Sequence, residues 1–312
     1  MPSNTELLQK ADIALSDLAT AGLLSPEQNT RFFRVIMNSP TIFQAARFVT
    51  MGSPTMWINK MGFGSRILHK AVESTALDSS KRPKPDLSKI EMSTKEVIAT
   101  VYLPYALFED NIEGGNPFVP IGSSAGGVTD TIIDMIGERA ALDLEEMALL
   151  GDTTSGDEDL AMFDGWMKRC ASHIVDADGA PLDKGIFKSS VKAMPDAYLR
   201  DRAVLRHFVS VDQETEYRDS IASRGTALGD ATLQGISPVY AFGSQVIGAS
   251  MMPNAKTLFT NPLNLIFGIQ RRLTLEYTKD IEARVFKIVL TARVAVQVET
   301  IDAAVQVINL AT

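Results

Sequence analysis

Apolar residues recur along this chain at two periods, and the switches between them divide it. Residues 1 to about 55 follow a helical spacing, with Leu7, Leu8, Ala11, Ile13 and Leu18 in one segment and Phe32, Phe33, Ile36 and Met37 in the next. Ser25-Pro26-Glu27 supplies an N-cap followed by proline at the first helical position, and Ser39-Pro40 ends the second run. The apolar positions are too sparse to build a core alone, which predicts an arm of short helices leaning on other parts of an assembly. From Thr55 to about Phe108 the pattern becomes strand, polar tip, strand. Met56-Trp57-Ile58 and the run from Arg66 to Val72 lead out, and the run from Val97 to Leu103 leads back. Between them the stretch from Leu77 to Asp86 offers no apolar face, so a long hairpin or loop is expected to project.

The clearest helix is expected from about Thr129 to Leu150. Ile132, Ile133, Ile136, Ala140, Leu144 and Met147 form its apolar stripe, Asp134, Glu138, Asp143, Glu145 and Glu146 fill much of the remainder, and Gly151 is a natural stop. At the helical rise it would run ~33 Å. Beyond it helix and strand alternate: a helix near Lys184 to Leu199, a strand from Val204 to Val211, and a helix opened by Asp212 and closed by Gly225. From Phe286 to Val298 every even position is apolar, while odd positions carry Lys287, Thr291, Arg293 and Gln297. This period of two marks a strand with one buried and one wet face, ~50 Å long if it runs from Arg284 to Glu299. Leu273 to Tyr277 is its expected antiparallel partner, across a turn at Lys279-Asp280. The order predicts an α+β protein with an elongated body.

Composition narrows the function. The 312 residues are 45% hydrophobic and 22% charged, in the range of folded globular chains. A net charge of -8 argues against a nucleic-acid grip, whose footprint is basic. No segment supplies the ~20 uninterrupted apolar residues of a membrane span, so no membrane role is expected. Cys170 is the only cysteine, and the opening residues lack the pattern of a secretion signal, which fits assembly in a reducing cytoplasm.

Candidate chemistry is thin. Gly122-Ser123-Ser124-Ala125-Gly126 matches the nucleophile elbow of serine hydrolases and precedes a helix, with His173 and His207 later in the chain. Pro117 and Pro120, however, stand where a central strand should lead in, and a flexible turn before a helix accounts better for the glycines. Asp176-Ala177-Asp178-Gly179 resembles part of a calcium loop but has Ile174 and Gly185 where ligands are required, so it reads as a turn. The acidic cluster Asp152, Asp157, Glu158 and Asp159 reads as a solvated loop. His69, His173 and His207 are widely spaced, and no metal, cofactor or catalytic residue is expected. On the projecting tip, Lys81, Arg82 and Lys84 interleave with Pro83 and Pro85. They form either a solvated loop or a basic point that docks on an acidic neighbour, for which Glu138, Glu145 and Glu146 of the long helix are the candidate partners.

The helical arm, extended loop, long acidic-faced helix ending Leu149-Leu150-Gly151-Asp152, mixed central region and very long hairpin come in an order that resembles the Hong Kong 97 capsid fold of tailed-bacteriophage major capsid proteins. Met194-Pro195-Asp196-Ala197-Tyr198-Leu199, the run Gly243 to Ile247 followed by Met252-Pro253, and the run Leu265 to Ile269 add local echoes across nearly the whole chain. The resemblance implies an N-terminal arm at 1-55, an extended loop (E-loop) at 56-110, and a peripheral domain with a spine helix at 111-159. It further implies an axial domain at 160-265, a peripheral hairpin at 266-299, and a return to the axial domain at 300-312. The implied function is structural, not enzymatic: hexamers and pentamers of this chain close an icosahedral shell around double-stranded DNA that is not bound by sequence. The implied partners are further copies of the chain, a separate scaffolding protein, a portal protein and a decoration protein. The implied place is the virion, assembled in the host bacterial cytoplasm. An encapsulin-type compartment shell resembles the same fold, and a serine hydrolase using Ser124 is the alternative from a different class.

Overall fold

The computed structural model describes residues 41–63, 66–70, 78, 82, 84–104, 128–223 and 238–311. The helices expected before residue 41, Lys81 at the loop tip, the Gly122–Gly126 motif and Gly225 lie outside the described residues. In chain order the elements are β1 (Arg47–Thr50), β2 (Thr55–Gly62), β3 (Asp86–Ser93), β4 (Lys95–Pro104), α1 (Val128–Leu150), α2 (Trp166–Arg169), β5 (His173–Asp176), α3 (Lys184–Ala193), β6 (Arg206–Ser210), α4 (Val211–Ala222), β7 (Tyr240–Ala241), β8 (Ser244–Ala249), β9 (Thr257–Thr260), β10 (Leu265–Asp280), β11 (Val285–Val298) and β12 (Ala304–Ile308).

A four-stranded sheet of order β1-β10-β11-β4 carries the long hairpin. In β11 each even position from Phe286 to Val298 is buried, as its alternation requires. Its partner is longer than the expected Leu273 to Tyr277: β10 pairs from Leu265 opposite Val298 to Asp280 opposite Val285. The turn falls at residues 281–284 and not at Lys279-Asp280, because the Asp280 carboxylate accepts the Ala283 N–H at 3.0 Å and Arg284 takes φ 51 to close it. β4 pairs with the far side of β11, from Pro104 opposite Val285 to Lys95 opposite Val294. It is therefore not the return strand of the projecting hairpin. That hairpin is β2 with β3, from Thr55 opposite Ser93 to Gly62 opposite Asp86, and Arg66 to Lys70 form no strand.

α1 lays Ala141, Leu144, Ala148 and Leu149 into the core beneath this sheet. Trp166, fully buried, joins helix and sheet: its indole N–H donates to the carbonyls of Ile266 at 3.3 Å and Gln297 at 3.2 Å. Phe43 packs on Trp166, Phe48 and Phe267 with ring centroids 4.7 to 5.9 Å apart. The segment entering β1 is thus pinned by aromatic burial.

The second sheet, of order β5-β12-β9-β6-β8-β7, has six strands. One face packs Val209, Val246 and Val307 against Ile186 and Phe187 of α3 and Tyr217 and Ile221 of α4. On the other face Phe208, Leu258 and Ala304 merge with the core under α1. α3 ends at Ala193 and not near Leu199, since Met194 precedes Pro195 and is held extended at φ -77, ψ 133. α4 is capped by Ser210, whose hydroxyl accepts the Gln213 N–H at 3.1 Å, and not by Asp212. β12 lies between β5 and β9, so the last strand of the chain is central to this sheet.

Candidate functional site

Several titratable groups among the described residues are engaged in packing, turns or ion pairs. His207 on β6 is buried, stacked on Phe259 with centroids 4.1 Å apart, and meets Phe187 edge-on. Burial, with Nε2 left unpartnered, pushes its pKa down to about 3, so it is a neutral packing group. Burial likewise pushes the Cys170 thiol up to about 12, which withholds the thiolate. Asp176 accepts from the Asp178 N–H at 2.9 Å and from Asn309 at 3.0 and 3.1 Å, closing a turn in which Asp178 and Gly179 have φ 50 and 72. Asp152 and Asp164 share the Lys168 ammonium at 2.7 Å each, and its hydrogen bonds hold both carboxyls below the ordinary carboxylate range. Among the described residues no group of three or more His, Cys, Asp or Glu could hold a metal ion, and no helix is long and apolar enough to cross a membrane.

Of the acidic residues singled out on the long helix, Glu138 is exposed and Glu146 is half-buried, while Glu145 is only 1% exposed. Its carboxylate accepts the Ile42 N–H at 2.6 Å and the amides of Thr41 and Phe43. Glu145 thus caps the turn that leads into β1, acting within the subunit, and is corrected from a surface contact to an internal one. Desolvation raises its pKa in spite of these donors.

Among the described residues, one extended element exposes a row of apolar side chains. The β2–β3 ribbon has two faces. On one, Met56, Ile58 and Met92 pack toward Met51, Ile266 and Ala295. The other presents Trp57 at 54%, Met61 at 72% and Leu87 at 70% exposure, the last two directly opposite each other. Beyond it Arg66, Leu68, His69, Lys70, Arg82 and Lys84 are all exposed. Between α1 and β4 lies a cavity of 370 Å³ floored by Val97, Ala99, Leu144 and Leu290 and rimmed by Asp143, Glu146, Asp157 and Asp159. Single exposed apolar residues are ordinary, but several on one projecting ribbon mark a surface built to be covered. The alternation of β2 carried that signal. β3 was missed because Asp86–Ser93 holds only Leu87, Ile90 and Met92 as apolar residues.

No family model matches the chain. Over 319 residues it is 39% identical to the "Putative prophage capsid protein YqbE" of Bacillus subtilis (strain 168), covering 98% of this chain and 99% of that one. Among solved structures it superposes on a chain of the satellite phage P4 procapsid including size determination (Sid) protein, with a TM-score of 0.66 at 14% identity, covering 99% of this chain and 98% of that one. The capsid of the empty GTA particle gives 0.58 at 15% identity, covering 87% and 90%. The capsid of Ralstonia phage GP4 gives 0.59 at 8%, covering 87% and 92%. These structures share the fold, and the end-to-end identity with the Bacillus subtilis protein carries the relationship: the chain belongs to the family of phage capsid proteins.

Proposed function

We propose that this capsid protein is the major shell subunit of a tailed-phage head. It takes the Hong Kong 97 arrangement of N-terminal arm, E-loop, peripheral domain with spine helix, and axial domain. Hexamers and pentamers of it close an icosahedral shell around double-stranded DNA. On this reading residues 1-55 are the arm, 56-110 contain the E-loop, 111-159 and 266-299 form the peripheral domain, and 160-265 with 300-312 form the axial domain. The observation that supports it best is the projecting β2–β3 ribbon, whose outer face exposes Trp57, Met61 and Leu87. A shell assembled in the bacterial cytoplasm with a separate scaffolding protein, and completed by portal and decoration proteins, fits a net charge of -8, which leaves packaged DNA loosely held.

Negative-stain electron microscopy of the expressed protein, with and without a scaffold, tests the reading. Rings, tubes or closed shells are expected, and a persistent monomer under both conditions would overturn it. The tip residues Lys81, Arg82 and Lys84 are assigned to a neighbouring copy, with the acidic rim of the α1–β4 cavity and the exposed Glu138 as their counterpart. Reversing the three to glutamate should leave the subunit folded and block assembly; normal shells from that variant would refute the docking.

A further inference from the structure

Two helices cover one face of the six-stranded sheet, and their outer surfaces carry opposite charge. On α3, Lys184, Lys188 and Lys192 stand at four-residue spacing and all are exposed. On α4, Asp212, Glu216 and Asp219 form the corresponding exposed stripe. Like charges at this spacing repel, at a cost of roughly 0.2–0.5 kcal/mol per pair. The helix dipoles do not settle the balance: Lys184 opens its helix at the positive end and Asp219 lies toward the negative end of its own, while Lys192 in the last turn of α3 and Asp212 in the first turn of α4 are favourably placed. Among the described residues none of the six takes part in a salt bridge. The adjacent Asp183 carboxylate caps α3 on the Ile186 N–H at 2.9 Å, and the ion pair on α4 is Glu214 with Arg218, on its flank. In a chain of net charge -8, three aligned lysines with no acidic partner among the described residues are a feature in need of one.

The sheet sets where each helix lies. α3 packs over β5 and β12, and α4 over β6 and β8. These strands lie in opposite halves of the order β5-β12-β9-β6-β8-β7, so the helix with the basic stripe and the helix with the acidic stripe lie side by side over opposite halves of one layer, meeting where Phe187 packs on Tyr217. A patch on one flank complementary to a different patch on the other makes a head-to-tail contact, and head-to-tail contacts generate rings when the rotation closes.

We propose that the α3 lysine stripe of one copy pairs with the α4 acidic stripe of the next, so that the six-stranded layers of successive copies associate head to tail around a capsomer. The inference rests on the shell reading and adds the contact that orders subunits within one ring. Its electrostatic part acts mainly on encounter rate and register, because exposed pairs add little net affinity each.

The test is a charge swap in the full-length chain, with assembly followed by light scattering and electron microscopy. Lys184→Glu, Lys188→Glu and Lys192→Glu together should preserve the thermal melt of the subunit and slow assembly at least ~10-fold. Adding Asp212→Lys, Glu216→Lys and Asp219→Lys to that chain should restore the rate, because each copy then presents the same pair with signs exchanged. Wild-type kinetics in the lysine variant would overturn the pairing. So would a block that the swapped chain fails to relieve, which would assign the lysines to a different acidic partner. If the wild-type chain itself forms no oligomer, the shell reading fails together with the pairing; if it forms shells and the variants are indifferent, the pairing fails alone.

Discussion

Gly165→Ala tests whether the end of the long helix and the turn that returns to it are packed as tightly as they stand. Gly165 donates its N–H to the Gly151 carbonyl at 2.7 Å. A Cβ at residue 165 would lie 2.7 Å from the Gly151 nitrogen and 2.8 Å from the carbonyl oxygens of Ala148 and Leu149. All three are backbone atoms of the last turn of α1 and its stop residue, so no side-chain rotamer can give way. The backbone at Gly165, φ -77 and ψ 177, is open to any residue, and the cost is therefore steric. To reach ordinary contact the segment must withdraw by about 0.6 Å, a gap that forfeits a quarter to a half of the dispersion energy across it. The withdrawal would carry Trp166, the next residue, away from its carbonyl partners on β10 and β11. Overpacking together with one weakened buried hydrogen bond is expected to cost ~3 kcal/mol. In a chain of this size that lowers Tm by roughly 5 °C. Gly156→Ala is the control, since nothing lies within 4 Å of a Cβ there. Both variants share the entropic gain of replacing glycine in the unfolded chain, so their difference isolates the clash. Differential scanning calorimetry of the two with the wild type decides it. A Gly165→Ala subunit melting within about 1 °C of the control would show that the end of α1 yields freely, and the steric argument would fail.

The buried histidine predicts an acid-labile subunit. With the His207 pKa held at about 3 in the fold against ~6.5 unfolded, the unfolded chain binds the extra proton. The contribution is complete above the unfolded value and shrinks as pH falls, by on the order of 3 kcal/mol at pH 4. His207→Phe, which can keep the stack on Phe259, should flatten the fall of Tm between pH 7 and 4; an unchanged slope would refute the assignment. Glu145→Ala strands the Ile42 amide and those of its neighbours, at ~1–3 kcal/mol per orphaned donor and partly offset by removal of a desolvated charge. Hydrogen exchange at Ile42 and Phe43 should accelerate ~10-fold or more while β12 is unaffected, and unchanged protection at Ile42 would count against the cap.

The legibility of each strand followed how many of its faces are covered. β11 shows its period of two because one face is buried and the other half wet along nearly its full length. The exception is Ala295, buried on the second face where Met51 and Met92 lie against it. Its partner β10 was only half readable for the same reason. From Leu265 to Ile269 every residue is buried, with Met51 and Met92 against one side and Phe43 and Trp166 against the other, so alternation disappears. The pairing of β2 with β3, and not with β4, was beyond local pattern, since an exposed ribbon carries few apolar positions and the choice of partner is made by contacts remote in sequence.

Glu145 shows a different failure. Its position was in the pattern: Ala141, Glu145, Ala148 and Leu149 lie at helical spacing, and all four are buried. Reading acids as outward-facing overrode a periodicity that placed this one inward, where three backbone amides from residues 41–43, some hundred positions away, wait for an acceptor. The charged stripes of α3 and α4 make the converse case, because each is plain in the sequence as a solvated face. What no local pattern contains is the placement of their helices over opposite halves of one layer. That follows from β12, at the end of the chain, pairing with β5, Val305 opposite His173, and from β6 separating β9 from β8. Two ordinary solvated faces become the complementary pair proposed here only through the sheet that spaces them, so the proposed interface would be a property of topology acting on charge.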